Sequence, residues 1–589
     1  MAKMRKRMVA LSAVAAMTAA VLAACGGGSD NPPSGGSTGD GEASAKGGTL
    51  QYLQHFPFES TDPQRIYYGV ELANFRRTLY RSLVAFPFDN DPDVANTPVP
   101  DLATDTGTST EGGKVWSFTL KDGIKWEDGS DITCEDFKYG ASRAFADDVL
   151  TGGAGFYIKG YLDIPADPKG GSMYKGPYRG DGQELFDKAV TCDGKTITYN
   201  FNKPWPDFPL SVASLMATDP YKESIDKGDR SKWVVMSNGP YKVDGGTWDV
   251  NKGATFVRNE NYDPATDSPD LLRQANPDQI NYELYTAPEP ILDCLVADAG
   301  DDKNAVTAAR IPPAYFSQIE GPVADRTATV ESPYTNYLVP NQKTLTDPKV
   351  RQALAIATNV DGYIKAEGGE KAGVPAESII NPGLPGYTEQ EMFSGSNEGD
   401  PDAAKALLEE AGVDLPYPIK YTYGQSETQD KTAAILKEGW EKAGFQVTLD
   451  PLADTYYDVI NQPDKDSDVV WAGWGADWPS AMTVLPPLFD SRQNFATDAN
   501  GNVTNLGQDY GYYQSDEFES LVDQAATAPD IDTQNDLLTQ ADTVLANDVA
   551  YIPLDTSTFY WLYGSGITNF MTDAASSSYP DLGPIGVTQ

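Results

Sequence analysis

The sequence predicts an α/β protein built from two or three domains. Patterns typical of strands and patterns typical of helices alternate along the whole chain. With 589 residues, the chain is long enough for more than one hydrophobic core of ordinary domain size. No internal repeat is visible in it.

The first half of the chain carries the clearest strand and turn signals. Residues 116–120 alternate apolar and polar side chains, and the KDG sequence at 121–123 predicts a turn directly after them. Residues 196–201 predict another strand. Thr133, followed three positions later by Asp136, predicts a capping box that opens a helix.

Helix signals are stronger in the second half. Asp347-Pro348 and Asp400-Pro401 each place a capping aspartate before a proline at the first helical position. Gly412 supplies a stop for the second of these helices. Both helices carry regularly spaced apolar residues.

The N-terminus predicts export and lipid anchoring. Basic residues within positions 3–7, an apolar run at 9–21 and Leu-Ala-Ala directly before Cys25 form a secretory signal peptide over residues 1–24. The Leu-Ala-Ala-Cys ending resembles the lipobox of bacterial lipoproteins. The resemblance implies cleavage before Cys25 and diacylation of its sulfur; an ordinary signal with a chance cysteine is the alternative.

Residues 25–48 predict a flexible tether, because the stretch is rich in glycine and serine and nearly devoid of apolar side chains. The remaining chain is strongly acidic. The formal net charge is −42, from 86 acidic and 44 basic residues. Nucleic acid is excluded as a partner, since phosphates require a basic surface.

Composition also argues against several enzyme classes. His55 is the single histidine, which excludes multi-histidine zinc sites and the HExxH protease pattern. No GxSxG elbow accompanies it, and Ala189 stands where a phosphate-binding loop ending at Lys195-Thr196 needs its first glycine. We therefore predict neither a catalytic residue nor a cofactor.

Two acidic segments, 89–93 and 498–502, are candidates for calcium binding. Neither has the sixth-position glycine and later glutamate of an EF-hand loop. Surface turns are the favoured interpretation, so no metal site is predicted. Cys134 and Cys192 form a candidate disulfide, because both fall in one predicted domain of an exported protein.

Seven segments, taken in order, resemble the bacterial oligopeptide- and dipeptide-type solute-binding proteins. The longest, WSFTLKDGIKWEDGSDITCEDFKYGASRAF at 116–145, is similar to the signature stretch of that family. The other six segments are 237–243, 258–264, 335–359, 404–412, 439–449 and 468–491. Each piece alone is weak, but their common order spans most of the chain.

The resemblance implies a two-lobed periplasmic-binding-protein-like fold of class II type, with an extra domain and a cleft that closes by a hinge. Lobe I is then discontinuous, and lobe II is a single long insert. The implied division is lobe I at 49–90, 235–325 and 555–589, the extra domain at 91–234, and lobe II at 326–554.

The resemblance also implies a ligand site around Asp477. In peptide-binding relatives, an aspartate in a W-x-x-D-aromatic context pairs with the α-ammonium of the peptide. Here that context is Trp474-Gly475-Ala476-Asp477-Trp478, and all five residues are predicted to contact ligand, although Asp477 could instead cap the local turn. In a separate segment, Phe58 and Glu59 are predicted to meet the ligand through their main chain.

The expected function is capture of short peptides for an ABC importer. The expected partners are a peptide, membrane permeases and their cytoplasmic ATPases, with contact to the membrane only through the lipid anchor. The protein is expected to be a monomer on the extracytoplasmic face of the cell membrane. A sugar, opine or metal chelate on the same scaffold, or an extracellular hydrolase, are the alternatives.

Overall fold

A computed structural model describes residues 46–55, 60–150, 152–167, 171–453, 455–497, 503–505, 507–573 and 576–588. The predicted signal peptide, Cys25 and most of the predicted tether lie outside these residues, as do Phe58 and Glu59. Among the described residues, no helix combines the length and apolarity needed to cross a membrane.

The strands are numbered here in chain order. They are β1 (Thr49–Gln54), β2 (Val84–Ala85), β3 (Val99–Pro100), β4 (Thr108–Thr110), β5 (Val115–Thr119), β6 (Val190–Asp193), β7 (Thr196–Asn200), β8 (Tyr241–Val243), β9 (Gly253–Arg258), β10 (Gln279–Leu284), β11 (Ala305–Thr307), β12 (Thr327–Pro340), β13 (Gly373–Pro375), β14 (Tyr417–Gly424), β15 (Phe445–Leu452), β16 (Val469–Gly475), β17 (Phe495–Thr497), β18 (Val503–Asn505), β19 (Ile552–Leu562), β20 (Ile567–Thr568) and β21 (Gly586–Val587).

The α-helices are numbered in the same way. They are α1 (Gly69–Thr78), α2 (Pro92–Ala95), α3 (Cys134–Arg143), α4 (Gly155–Tyr161), α5 (Gln183–Ala189), α6 (Phe208–Ser214), α7 (Pro288–Ala297), α8 (Pro348–Ile356), α9 (Val360–Glu367), α10 (Pro401–Ala411), α11 (Glu427–Lys442), α12 (Tyr456–Ile460), α13 (Leu485–Phe489), α14 (Ser491–Asn494), α15 (Asp516–Ala526) and α16 (Ile531–Asn547).

The local signals in the sequence are confirmed as caps. Asp347 accepts a hydrogen bond from the amide of Lys349 at 2.9 Å as α8 begins. Asp400 caps α10 in the same way, and Gly412 ends that helix with a φ of 69°. Thr133 and Asp136 form the predicted capping box of α3. These signals were readable because every partner lies within a few residues.

Three sheets organise the described chain. The five-stranded sheet has the order β11-β1-β10-β9-β8, with β1 parallel to both of its neighbours. The six-stranded sheet has the order β13-β19-β12-β16-β14-β15. The four-stranded sheet, β4-β5-β7-β6, is antiparallel throughout and lies in the predicted extra domain.

Two long antiparallel strands, β12 and β19, connect the five- and six-stranded regions. Their pairing runs from Thr327 opposite Leu562 to Leu338 opposite Ile552, with a register shift between Glu331 and Thr335. The outer end of β19 packs with the helix α7 beside the five-stranded sheet, whereas the other end lies in the six-stranded sheet. The predicted lobe boundary at 554/555 falls within β19, and the division of the chain into segments stays a prediction.

A buried ion pair joins the extra domain to the five-stranded region. Arg143, at the end of α3, donates to both carboxylate oxygens of Asp62, at 2.7 and 2.6 Å. Its guanidinium also lies 3.5 Å from the centre of the Tyr221 ring. Both charged groups are fully buried, and each has a second charged partner: Arg65 for Asp62 and Asp226 for Arg143. Removing Arg143 or Asp62 would therefore unbalance a buried network of charges. This pair fixes the two regions that flank the candidate site.

The candidate cysteine pair is joined in the structure. Cys134, at the start of α3, and Cys192, in β6, form a disulfide with their Cα atoms 5.9 Å apart. The bond ties a helix to the edge strand of the four-stranded sheet. The residues at 89–93, one of the calcium candidates, instead cap turns: Asp89 accepts from the amide of Asp91, and Asp91 from that of Asp93.

Candidate functional site

Asp477 lies in a turn at the end of β16, in the six-stranded sheet. The strand pairs with β12, so that Gly475 stands opposite Tyr334. A Cβ on Gly475 would lie 2.7 Å from the Tyr334 ring, which explains the glycine at this position. The chain leaves the sheet after Gly475 and carries the carboxylate of Asp477 away from the core.

Thr483 holds this turn in place. Its hydroxyl accepts a hydrogen bond from the amide of Asp477 at 3.0 Å, and its carbonyl accepts one from the indole N–H of Trp474 at 2.9 Å. Asp477 therefore uses its amide, and not its carboxylate, to fix the local turn. The carboxylate remains for other contacts.

Two tyrosines from other parts of the chain orient that carboxylate. The hydroxyl of Tyr67, just before α1, donates to Oδ1 at 2.8 Å. The hydroxyl of Tyr157, in α4, donates to Oδ2. The six-stranded sheet, the extra domain and the segment before α1 thus meet at one carboxylate.

Two opposing effects set the pKa of Asp477: burial of the carboxylate and the hydrogen bonds from these two donors. Burial raises its pKa to about 6, while the hydrogen bonds from Tyr157 and Tyr67 act in the opposite direction. Burial, and then the charge of Asp477, raise the pKa of both tyrosines. Near neutral pH the site is a half-buried carboxylate that accepts from two protonated hydroxyls.

Several cavities adjoin Asp477. One of about 310 Å³, called the Asp477 cavity, is also lined by Tyr67, Tyr334, Trp474, Gly475 and Ala476. A larger one of about 810 Å³, the aromatic cavity, shares Trp474 with it and is also lined by Phe156, Tyr157, Tyr161 and Met482. Asp477 lines both, so a cationic group bound there could belong to a ligand that extends either way.

A further cavity of about 720 Å³, the basic cavity, adjoins the Asp477 cavity through Tyr334 and Gly473. Arg310 and Lys371 line it together with His55 and one carboxyl group, that of Glu367, whose pKa is raised by burial. The Arg310 guanidinium lies 4.8 Å from the ring centre of Phe559, and the Lys371 ammonium lies 4.6 Å from that of Tyr560. Burial lowers the pKa of His55.

The structure brings most of the predicted site together. Trp474, Gly475, Ala476 and Asp477 all line the Asp477 cavity. Trp474 also lines the aromatic cavity, and it is half-buried. Whether these residues contact a ligand stays a prediction, as it does for Phe58 and Glu59, which lie outside the described residues.

Trp478 occupies a different environment. Its side chain is 3 % exposed and belongs to the core of the extra domain. The indole N–H donates to Oδ2 of Asp207 at 2.5 Å, and the ring packs on Tyr157 at 4.6 Å between centres. Trp478 therefore joins the turn to the extra domain. It also lines a third cavity beside Asp477, and its contact with a ligand stays a prediction.

Sequence reasoning missed the partners of the carboxylate. Tyr67, Tyr157 and Thr483 were not predicted to belong to the site, and neither were Arg310 and Lys371. Tyr67 and Tyr157 lie 410 and 320 positions away from Asp477 along the chain. A tyrosine before or within a helix has no local signal that would identify it as a carboxylate donor.

Comparison with known proteins gives a consistent result. Residues 97–496 match the family described as bacterial extracellular solute-binding proteins, family 5 middle. The chain is 26% identical over 521 residues to the periplasmic oligopeptide-binding protein OppA of Salmonella typhimurium, covering 84% of each chain. It is also 26% identical over 461 residues to the probable deoxycholate-binding periplasmic protein YgiS of Escherichia coli, covering 75% of this chain and 77% of that one.

Among solved structures, the chain resembles clavulanic acid biosynthesis oligopeptide binding protein 2, with a TM-score of 0.80 and 24% identity. That match covers 92% of this chain and 96% of the other. At this level of identity, the likeness concerns the fold. The predicted α/β, two-lobed fold is confirmed.

Proposed function

The chain belongs to the bacterial extracellular solute-binding proteins of family 5, and on that premise we propose that it captures short peptides outside the cell and delivers them to an ABC importer. The family resemblance predicted from seven ordered segments is thereby confirmed. The proposed function is binding and not catalysis. The names of the OppA relative and of the clavulanic acid protein, both oligopeptide-binding, favour a peptide ligand.

The observation that carries the proposal is the carboxylate of Asp477, oriented by Tyr67 and Tyr157 at the junction of several cavities. A peptide α-ammonium removed from water requires a fixed counter-charge. A charge-assisted hydrogen bond of this kind contributes about 1.5–3 kcal/mol. The tyrosine hydroxyls hold the carboxylate in place before the ligand arrives, which lowers the ordering cost of binding.

The basic cavity supports an orientation of the peptide in which the N-terminus lies at Asp477 and the C-terminus lies near Arg310 and Lys371. A peptide with its ammonium at Asp477 would pass Tyr334 and Gly473 and reach Arg310 and Lys371. Its carboxylate would then meet positive charge. We propose that Trp474, Gly475 and Ala476 line the path of the first residue, and that the main chain of Phe58 and Glu59 contributes hydrogen bonds.

The proposal includes the cellular location and the partners. Lipid attachment at Cys25 would anchor the protein to the extracytoplasmic face of the cell membrane as a monomer, where permease subunits coupled to cytoplasmic ATPases receive the ligand. Cys25→Ser is expected to move the protein from the membrane fraction to the medium. Retention of the variant in the membrane fraction would exclude a lipid anchor at this residue.

A non-peptide solute is the second candidate. One relative is named for deoxycholate binding, and the walls of the aromatic cavity beside Asp477 include Phe156, Trp474 and Met482. An amphipathic organic anion would use such walls and would not need Asp477. This candidate therefore predicts a ligand without a free amino group.

The decisive experiment compares a free tripeptide with its N-acetylated form by isothermal titration calorimetry. Acetylation removes the ammonium and leaves the rest of the ligand unchanged, so the peptide proposal predicts at least about a tenfold loss of affinity. Mass spectrometry of the ligand released from denatured protein complements this test. Equal affinities, or release of a compound without an amino group, would contradict the proposal.

A further inference from the structure

A second small cavity lies beside Asp477. It has a volume of about 310 Å³ and is called here the Asp573 cavity. Its walls come from the segment around α2, from β12, from the turn after β16 and from the chain near the C-terminus. Asp477 and Ala476 separate it from the Asp477 cavity, because both residues line both spaces.

The charge lining this cavity is of one sign. Asp89, Glu331, Asp477 and Asp573 line it, and none of its described lining residues is a lysine or an arginine. Much of the remaining wall is polar and offers hydrogen-bond acceptors. These polar residues are Asn90, Asn96, Ser332, Asn381, Ser577 and Ser578.

In one of these carboxylates, that of Asp573, one oxygen accepts no hydrogen bond. Asp573 is 5 % exposed, and its Oδ1 accepts a hydrogen bond from the amide of Ser576 at 2.8 Å. Its Oδ2 is buried and accepts no hydrogen bond. A buried acceptor without a donor costs free energy, so the site favours any ligand group that supplies one.

The nearest arginine does not fill this role. Arg77 is bound to both carboxylate oxygens of Asp581 and to the carbonyl of Phe86, at 2.8–3.0 Å. Burial, and then the charge of Asp581, raise the pKa of Asp573 to about 7, with Arg77 acting only as an opposing influence. A cation entering the cavity would stabilise the ionised form.

We propose that the Asp573 cavity binds the cationic side chain of the first residue of the ligand, a guanidinium or an ammonium group. The inference rests on the proposed function, since it places the ligand's α-ammonium at Asp477. The side chain attached to the same Cα then has direct access to the Asp573 cavity, because Asp477 forms a wall of it. The protein therefore selects peptides that begin with arginine or lysine.

The test compares two tripeptides that differ in one charge, Arg-Ala-Ala and citrulline-Ala-Ala. Citrulline has the length and planar end group of arginine but is neutral. Calorimetry with the full-length protein is expected to give about tenfold or greater preference for the arginine peptide. Asp573→Asn is expected to remove most of this preference, because the arginine peptide loses a charge-assisted bond whereas the citrulline peptide loses only the weaker bond from its neutral end group.

A second variant keeps the test informative if Asp573→Asn fails to fold. Asn90 is exposed at the wall of the same cavity, and Asn90→Lys adds a positive charge there. This variant should lower the affinity for the arginine peptide more than the affinity for the citrulline peptide. Equal wild-type affinities for the two peptides, or an equal loss for both in the variants, would overturn the inference. If neither peptide binds, the proposed function fails with it.

Discussion

The hydroxyl of Tyr157 donates a hydrogen bond to the carboxylate of Asp477, and this contact joins the extra domain to the turn that follows β16. Tyr67 supplies the second donor from the segment before α1. The carboxylate is thus oriented entirely by residues from outside the six-stranded region. A ligand ammonium at Asp477 would bind where three parts of the chain meet.

The first prediction concerns Asp477 itself. Asp477→Asn removes the negative charge while keeping the shape of the side chain. We expect the affinity for a free tripeptide to fall about ten- to a hundredfold, because the charge-assisted bond to the ammonium is lost. Calorimetry measures this loss, and Asp536→Asn, at an exposed position of α16, is the matched control. An unchanged affinity would remove Asp477 from the ligand site.

Peptide affinity should also depend on pH. The pKa of Asp477 is raised to about 6, and the carboxylate must be ionised to bind an ammonium. As the pH falls below 6, binding must first expel a proton, so affinity should drop by up to about tenfold per pH unit. Above about pH 8 the peptide amine loses its own proton and affinity falls again. Calorimetry from pH 5 to pH 9 measures both limbs.

Tyr157→Phe provides the control for that profile. The hydrogen bond from Tyr157 lowers the pKa of Asp477, so its removal should raise the pKa further. The acidic limb should therefore move to higher pH, while affinity near pH 7.5 changes less than in Asp477→Asn. A profile that does not move would mean that another group controls the acidic limb.

The two tryptophans of the turn should separate stability from binding. Trp478 is 3 % exposed and packed in the core of the extra domain, so Trp478→Ala should lower the free energy of unfolding by about 3–5 kcal/mol. Trp474 is half-buried and lines the cavities, so Trp474→Ala should mainly lower affinity. Chemical denaturation and calorimetry on both variants give the comparison. If Trp474→Ala mainly lowered stability and Trp478→Ala mainly lowered affinity, the prediction would be wrong.

The disulfide between Cys134 and Cys192 should stabilise the extra domain. It closes a loop with a sequence separation of 58, for which chain entropy predicts about 4 kcal/mol. We expect the Cys134→Ala, Cys192→Ala double variant to unfold at lower denaturant concentration. Reducing agent should shift the unfolding of the wild type in the same direction. A variant as stable as the wild type would show that the bond is dispensable.

How far the sequence predicts this structure depends on the distance between partners. The caps at Asp347 and Asp400 were predictable, because each aspartate bonds an amide within three residues. Asp477 was identifiable through the W-x-x-D-aromatic context of a known family. Tyr67 and Tyr157 were not, since only the folded chain brings them to that carboxylate.

Trp478 makes a contact that the sequence could not predict. Its position next to Asp477 predicted a contact with the ligand, and it lines the Asp573 cavity. Its bond to Asp207, 271 positions away, was not predicted. How much of the Trp478 side chain packs in the core depends on which surface of the extra domain contacts the turn. That surface is a property of the packed domains, and no local pattern in the sequence encodes it.

The pairing of β12 with β19 has a consequence for how this chain can be rearranged. Thr335 and Thr556 face each other on adjacent strands, so the long segment between them begins and ends at neighbouring points. A segment with adjacent ends can be excised, exchanged with that of a relative, or expressed alone with a short linker. Exchanging this one continuous stretch would carry Asp477 and Trp474 with it and leave Tyr67, Tyr157 and Asp573 behind. Such a hybrid would separate the contribution of the carboxylate from that of the residues that surround it.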